Sequence, residues 1–454
     1  MRSRPDRLFL LMGAAQGVAL AAGLPAVVWW VVELRFPPLR LALLGTALVL
    51  TILLAEAPTG VLADLYGRKR SVVASFAVMG AAIGLMASSP AFASMMVWQA
   101  VWALGWTMQS GATTAWVTDE LPAGSGHPTA RDTGGGRSVE DARAGSSEVP
   151  AATPGAAGLD QLIVRHATWR AIGVMAGLAV AAGTGTWSLR GALVVVGTLS
   201  LAFAVYLAVT MAETGFVRGR RSGLSAGGAW REALTILRHG AALALRRRTL
   251  LAVVSAAAIT GFASEAIERL DTLRLVELGL PDYDGGEAVL FFGVVWFIMA
   301  ALSIPVMMWL RRRLATPDTA RDARLLSRLL IVAGAGALAL AVSPIFAVAL
   351  AGWTILDVAG ETTYPLAEAM ANREATSTVR ATVVSFLGQA EALGQVIGGV
   401  SLGLVAQYVS LPVALGVAAG LLAVAAIPVA AAARARPARA GWGGAGEPPR
   451  GDAS

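Results

Sequence analysis

The sequence predicts an all-α integral membrane protein whose twelve transmembrane helices form two halves of six. Three observations carry that expectation. Of 454 residues, 56% are hydrophobic and only 14% charged, with a mean hydropathy of +0.65; soluble domains carry about a quarter charged residues. The apolar residues gather into twelve runs, each near the ~20 residues that cross a ~30 Å hydrocarbon core. The basic residues cluster at the ends of those runs, where they mark topology.

The first run, 8–32, follows Arg2, Arg4 and Arg7. It is too long for the apolar part of a signal peptide and has no clear small-residue cleavage site, so it reads as span 1. Runs 41–63 and 71–89 are spans 2 and 3, joined by GVLADLYGRKR at 60–70, a Gly-rich turn ending in Arg68, Lys69 and Arg70. Span 4, 91–118, closes on Asp119 and Glu120. Residues 122–160 are rich in Gly, Ala, Ser, Pro and charge, the composition of a disordered insert. Spans 5 and 6 are 168–187 and 190–211.

A linker, 212–249, then divides the chain into its two sixes. Its stretch WREALTILRHGAALALRRR has apolar residues at helical spacing among many Arg, as in an amphipathic helix on a membrane surface. Runs 250–270, 287–310, 325–343, 345–369, 380–408 and 411–433 are spans 7 to 12, and the tail from 435 reads as unstructured. The units expected are thus 1–211, 212–249, 250–434 and 435–454. The second half carries only an echo of the 60–70 stretch, WLRRR at 309–313, so the repeat is inferred from hydropathy and topology.

An even number of spans puts both termini on one side, and charge says which. With the termini cytoplasmic, 31 of the 36 Lys and Arg lie inside and only Arg35, Arg40, Arg190, Arg269 and Arg274 outside. The net charge of +7 is accounted for by this placement and does not point to nucleic acid. The chain has no cysteine, so disulfide and thiolate chemistry are excluded. His127, His166 and His239 are its three histidines, all in cytoplasmic or boundary segments. No Ser–His–Asp or metal-ligand constellation is visible, so no enzyme, cofactor or metal is expected.

A carboxylate within a span is costly, and its presence there is a functional-site expectation. Span 10 runs inward from Ile345, which puts Asp357 ~18 Å deep at 1.5 Å per residue. Glu361 and Glu368 follow at offsets that keep all three on one face, with Tyr364 beside them. Glu391 in span 11 is ~16 Å deep by the same count. Asp357 and Glu391 are the leading candidates to titrate or bind a cation. Span 7 contains SEAIERLD, with Glu265, Glu268, Arg269 and Asp271; Glu265 and Arg269 can pair four residues apart, and the group is either an interhelical salt-bridge cluster closing the outer side or part of a substrate site. Glu56 sits two residues before Pro58 in span 2. Gln16, Gln99, Gln109, Gln389 and Gln395 can hydrogen-bond between helices. Trp98, Trp102 and Trp106 form a stripe on span 4 that is either a packing ridge or a cavity wall. Gly173 with Gly177, and Gly394 with Gly398, permit close helix approach.

The stretch 60–70 resembles the loop between helices 2 and 3 of the major facilitator superfamily, whose pattern is G-x-L-A-D-(R/K)-x-G-R-(K/R). Gly60, Leu62, Ala63, Asp64, Gly67, Arg68 and Lys69 match; Leu65 stands where the family usually has a basic residue. The resemblance implies that spans 1, 4, 7 and 10 line a central cavity, so that the span 10 carboxylates, Gln16, Gln109 and Glu265 face it. It also implies that Asp64 helps latch the halves in the outward-open state near the start of span 11, next to Arg380, where a carboxylate complements a helix N-terminus. Two family patterns are missing. Val101 stands where many proton-coupled members have an Arg in span 4, and span 5 lacks the Gly-Pro motif of drug antiporters.

The function expected is secondary active transport of a small organic solute by alternating access, proton-coupled and favouring export. Buried carboxylates supply the means of coupling, and the chain lacks a G-x-x-x-x-G-K-(S/T) loop for ATP. Uptake of a nutrient is the alternative within the class, and a non-transporting sensor or assembly protein the alternative outside it. The partners expected are the bilayer, the solute and protons, with the protein acting as a monomer. The abundance of Arg and Ala fits a GC-rich bacterial genome, hence a bacterial cytoplasmic membrane.

Overall fold

The computed structural model describes residues 4–124, 154–214, 247–280, 285–316, 318–374 and 380–434, with isolated positions between 228 and 242. The rest of the insert, most of the linker, with its expected amphipathic helix, and the tail lie outside the described residues.

All twelve expected spans are helical. Span 1 is Pro5–Leu20 followed by Gly23–Val28 and a π-helical turn, Trp29–Glu33. Span 2 is Pro38–Tyr66, span 3 Arg68–Met86, and span 4 is broken into Phe92–Gln109 and Ala112–Gly124. Spans 5 and 6 are Pro154–Gly185 and Leu189–Thr210. Spans 7 to 12 are Arg248–Glu277, Gly285–Leu314, Thr319–Val342, Phe346–Glu374, Arg380–Tyr408 and Leu411–Arg434. Among the described residues, nine of the twelve are long and apolar enough to cross a membrane. Spans 4, 5 and 10 fall short. Span 4 is interrupted and rich in Trp and Gln, span 5 carries Arg165 and Arg170, and span 10 carries Asp357, Glu361 and Glu368.

Two sequence expectations need correction. The turn expected over 60–70 contracts to one residue. Span 2 stays helical through Gly60 and Asp64 to Tyr66, and Gly67, at φ 102°, alone separates it from span 3. That backbone conformation is cheap only for glycine. The insert expected over 122–160 is shorter than composition implied, because span 4 continues to Gly124 and span 5 begins at Pro154. Helix ends are set elsewhere by side-chain caps: Ser188 accepts the Gly191 N–H (3.0 Å), and Asp318 accepts that of Arg321 (2.9 Å). In that loop the Arg321 N–H holds the Asp318 carboxyl below its ordinary range.

Helix packing brings out the repeat that the sequence shows only by hydropathy. Span 1 crosses span 5 at Gly17, Gly173 and Gly177; span 7 crosses span 11 at Gly261, Gly394 and Gly398. In both crossings a glycine on the first helix faces a partner carbonyl, Arg170 or Glu391. Two glycines on the partner then face positions four apart on the first helix, Ala14 and Val18 or Ala258 and Phe262. A second echo is electrostatic. Arg68 at the start of span 3 pairs with Asp119 of span 4, and Asp322 at the start of span 9 pairs with Arg373 of span 10. Both pairs span 51 residues, with the signs exchanged.

The core is divided in an informative way. On the face away from the basic loops, one buried cluster joins both halves, running from Trp29 and Leu44 through Leu270 and Phe292 to Leu402 and Leu415. On the basic face each half has its own: Phe9, Phe76 and Trp116 in one, Leu326, Leu366 and Leu387 in the other. The contacts that bring the halves together are on the far face. Gly399 and Gly403 of span 11 lie against Ala42 and Thr46 of span 2, and Gly286 of span 8 lies against Thr186 after span 5. No salt bridge among the described residues joins the two halves at the basic face. The halves are closed together on the far face and parted on the basic one.

Candidate functional site

A cavity of about 340 Å³ lies midway along the second half, between spans 7, 10 and 11. Span 10 contributes Trp353, Asp357, Glu361 and Tyr364; span 7 contributes Thr260, Ser264, Glu268 and Asp271; span 11 contributes Glu391 and Gln395. Helical spacing explains the grouping. Residues 260, 264, 268 and 271 recur every three or four positions, as do 353, 357, 361 and 364, so each set forms one stripe. Close approach of spans 7 and 11 follows from Gly261, whose missing side chain leaves room for the backbone of Glu391.

The cavity is therefore walled by five carboxylates, and no Lys or Arg is among its lining residues. Asp271 is tied down: it accepts from the Thr272 hydroxyl (3.0 Å) and backbone N–H, and from Trp353. Glu268 and Glu361 stay accessible through the opening, while Asp357 and Glu391 are half-buried. A carboxylate at the centre of a spanning helix costs ~2.5–3.5 kcal/mol by insertion scales. Five carboxylates sharing one space repel one another when ionised, and positive charge brought among them offsets that repulsion. Three of the predicted candidates, Asp357, Glu361 and Glu391, meet here.

The other predicted candidates lie elsewhere. Glu265 is 1% exposed and accepts from Nε of Arg269 (2.9 Å) on the side of span 7 turned away from the cavity. Gln16 and Gln109 are both buried and bond each other, Gln16 Nε2 donating to Gln109 Oε1 (3.0 Å) within the first half. Neither lines the carboxylate cavity. Glu56 is exposed on span 2, accepts from the Ser110 hydroxyl at the break in span 4 (3.3 Å), and is close enough to act electrostatically on Tyr364 of the other half. Trp102 and Trp106 stack on each other (5.6 Å) and pack, with Trp98, against buried core, which is the ridge reading of that stripe. The sequence offered Glu268 and Asp271 only as members of the span 7 charged cluster, and Thr260, Ser264 and Trp353 not at all.

The 60–70 stretch organises the basic face of the first half. Arg68 Nη1 pairs with Asp119 and donates to the Ala115 carbonyl (2.6 Å), fixing the start of span 3 to the inner part of span 4. Glu213, just past span 6, accepts the Lys69 backbone N–H (3.0 Å), and its carboxylate complements the positive end of span 3. An added Cβ at Gly67 would meet that same carboxylate at 2.8 Å, a side-chain tip that can shift, so it is the backbone conformation that calls for glycine there. The adjoining Glu120 holds Thr214 through its N–H and hydroxyl (2.5 and 2.7 Å). Asp64 is half-buried on the last turn of span 2. Arg380 begins span 11, but its side chain is outside the described residues, as is its expected proximity to Asp64.

No family model matches the chain, and none of the curated proteins compared matches it in sequence. Solved structures do match. The nucleoside transporter NupG superposes with a TM-score of 0.71 at 13% identity, covering 96% of this chain and 100% of that one. A bacterial homologue of the human lysosomal transporter Spinster, in an inward-facing and unoccupied conformation, gives 0.68 at 15% identity over 95% and 98%. The peptide transporter POT gives 0.68 at 12% identity over 94% and 93%. All three are transporters, none an enzyme, and the chain has their major-facilitator-type fold.

Proposed function

We propose that the protein is a secondary active transporter that moves a small cationic organic solute by alternating access, in exchange for protons. The observation that carries this reading is the cavity with five carboxylates and no basic lining residue. A carboxylate that has bound a proton no longer attracts a cation, and one that holds a cation is a poorer base. A shared set therefore exchanges one for the other, and an inward proton gradient then drives the solute out. The aromatic faces of Trp353 and Tyr364 supply further attraction for a cation. The parted basic face is taken as cytoplasmic, from the distribution of Lys and Arg, which makes this the inward-open state. Asp357 and Glu391 are proposed as the exchanging pair, Glu361 and Glu268 as the approach from the opening, and the 60–70 stretch with Arg380 as the latch of the opposite state. The bilayer of proposed residence is a bacterial cytoplasmic membrane.

The test is competition in proteoliposomes, using pairs of aromatic amines and their neutral isosteres. Counterflow of the cations at least tenfold above that of the isosteres is expected. Equal counterflow of both overturns the cation assignment, and uptake coupled to inward proton flow in the same direction replaces export by import.

A further inference from the structure

On the far face, a closely packed ion pair sits where the halves meet. The Glu265 carboxylate and the Arg269 guanidinium lie directly against Gly45 of span 2, so that a Cβ at position 45 would overlap both. A Cβ at Gly399 of span 11 would come within 3.0 Å of Glu265 Cγ and 2.6 Å of the Thr46 hydroxyl. Both charged groups belong to span 7 and Gly399 to the same half, while Gly45 and Thr46, which close over them, belong to span 2 of the other half.

We propose that this ion pair, seated by Gly45 and Gly399, is a latch that sets how readily the far face opens. A buried ion pair is held against a large desolvation penalty, which its mutual attraction only partly offsets. Because both partners are on one helix, the pair survives when the halves part, and water then reaches it. Hydration thus favours opening, and close packing across the glycines favours closure. Leaving one charge unpaired in the dry interface tilts the balance further toward opening. Replacing both by apolar side chains removes the desolvation penalty and tilts it toward closure. A salt bridge that merely held the face shut would give opening in both cases.

The latch rests on the alternating-access reading and is tested without substrate. Because the chain has no cysteine, spin labels attach only at introduced ones. Trp187 and Val409 are exposed on the far face, one in each half; Tyr66 and Arg312 are exposed on the basic face, also one in each half. Double electron–electron resonance is recorded for Trp187→Cys with Val409→Cys, and separately for Tyr66→Cys with Arg312→Cys. A third pair, Trp187→Cys with Tyr66→Cys, lies within one half and must stay constant in any variant that is folded. Glu265→Gln and Gly45→Val are expected to raise the long-distance population of the far pair by about tenfold or more. The double variant Glu265→Leu, Arg269→Met is expected to lower it. An unmoved far pair in both single variants overturns the latch, as does a double variant that opens like the single ones. Far-face opening with no matching closure of the basic pair leaves the latch standing and contradicts alternating access instead.

Discussion

Asp322 is wholly buried at the basic face, with Arg373 Nη1 at 2.5 Å and Arg321 at 3.1 Å. Arg68 and Asp119 hold the equivalent place in the first half but are 20% and 32% exposed. Burial decides their worth. The difference lies in the carboxylates, since Arg373 at 24% exposed is no more buried than Arg68: a charge left without its partner costs up to ~3–5 kcal/mol where it is buried and far less where water reaches it. Arg373→Ala is therefore expected to lower the thermal unfolding temperature by far more than Asp119→Ala, measured on the detergent-purified protein; equal shifts contradict the ranking. At this scale the sequence was only partly legible. SEAIERLD showed that span 7 is charged and that Glu265 can reach Arg269. Helical periodicity also sorts it into two stripes, Ser264, Glu268 and Asp271 against Glu265 and Arg269. Which stripe faces a cavity depends on the neighbours of span 7, and the Glu391 backbone against Gly261 belongs to a helix 130 residues away.

At the scale of elements, the crossings of spans 1 with 5 and 7 with 11 are made by glycines that appose backbones. Gly394 faces the Ala258 carbonyl and the Phe262 N–H, rigid groups that cannot rotate aside. Gly394→Val must push spans 7 and 11 apart, at ~1–3 kcal/mol for overpacking or more, and it moves Glu391 away from Glu268 and Asp357. Loss of thermal stability together with loss of cation binding is expected, against little change for Gly420→Val, where an added Cβ meets open space. Equal effects would refute the crossing as the element that assembles the cavity. The pairs Gly173 with Gly177 and Gly394 with Gly398 were legible as close-approach sites because four-residue spacing puts both on one face. The turn at Gly67 was legible in place but not in length, because Asp64 and Gly60 look like turn residues until span 2 is seen to run through them.

For the whole molecule, the twelve spans, their order and the basic face could be read from hydropathy and charge, since lipid enforces both on every segment. The conformation could not. That the halves share a core on one face and not on the other comes from packing between helices distant in sequence, and the proposed transport requires a second arrangement built from the same residues. The proposed transporter joins the two: a carboxylate cavity that exchanges protons for a cation as the halves rock about it. The most direct measurement is internal pH in proteoliposomes under an imposed proton gradient, challenged with organic cations and repeated with Asp357→Asn and Glu391→Gln. Proton movement that depends on the cation, and that either substitution reduces at least tenfold, is the predicted result. Cation-dependent proton movement that survives both substitutions together would contradict the assignment of coupling to this cavity.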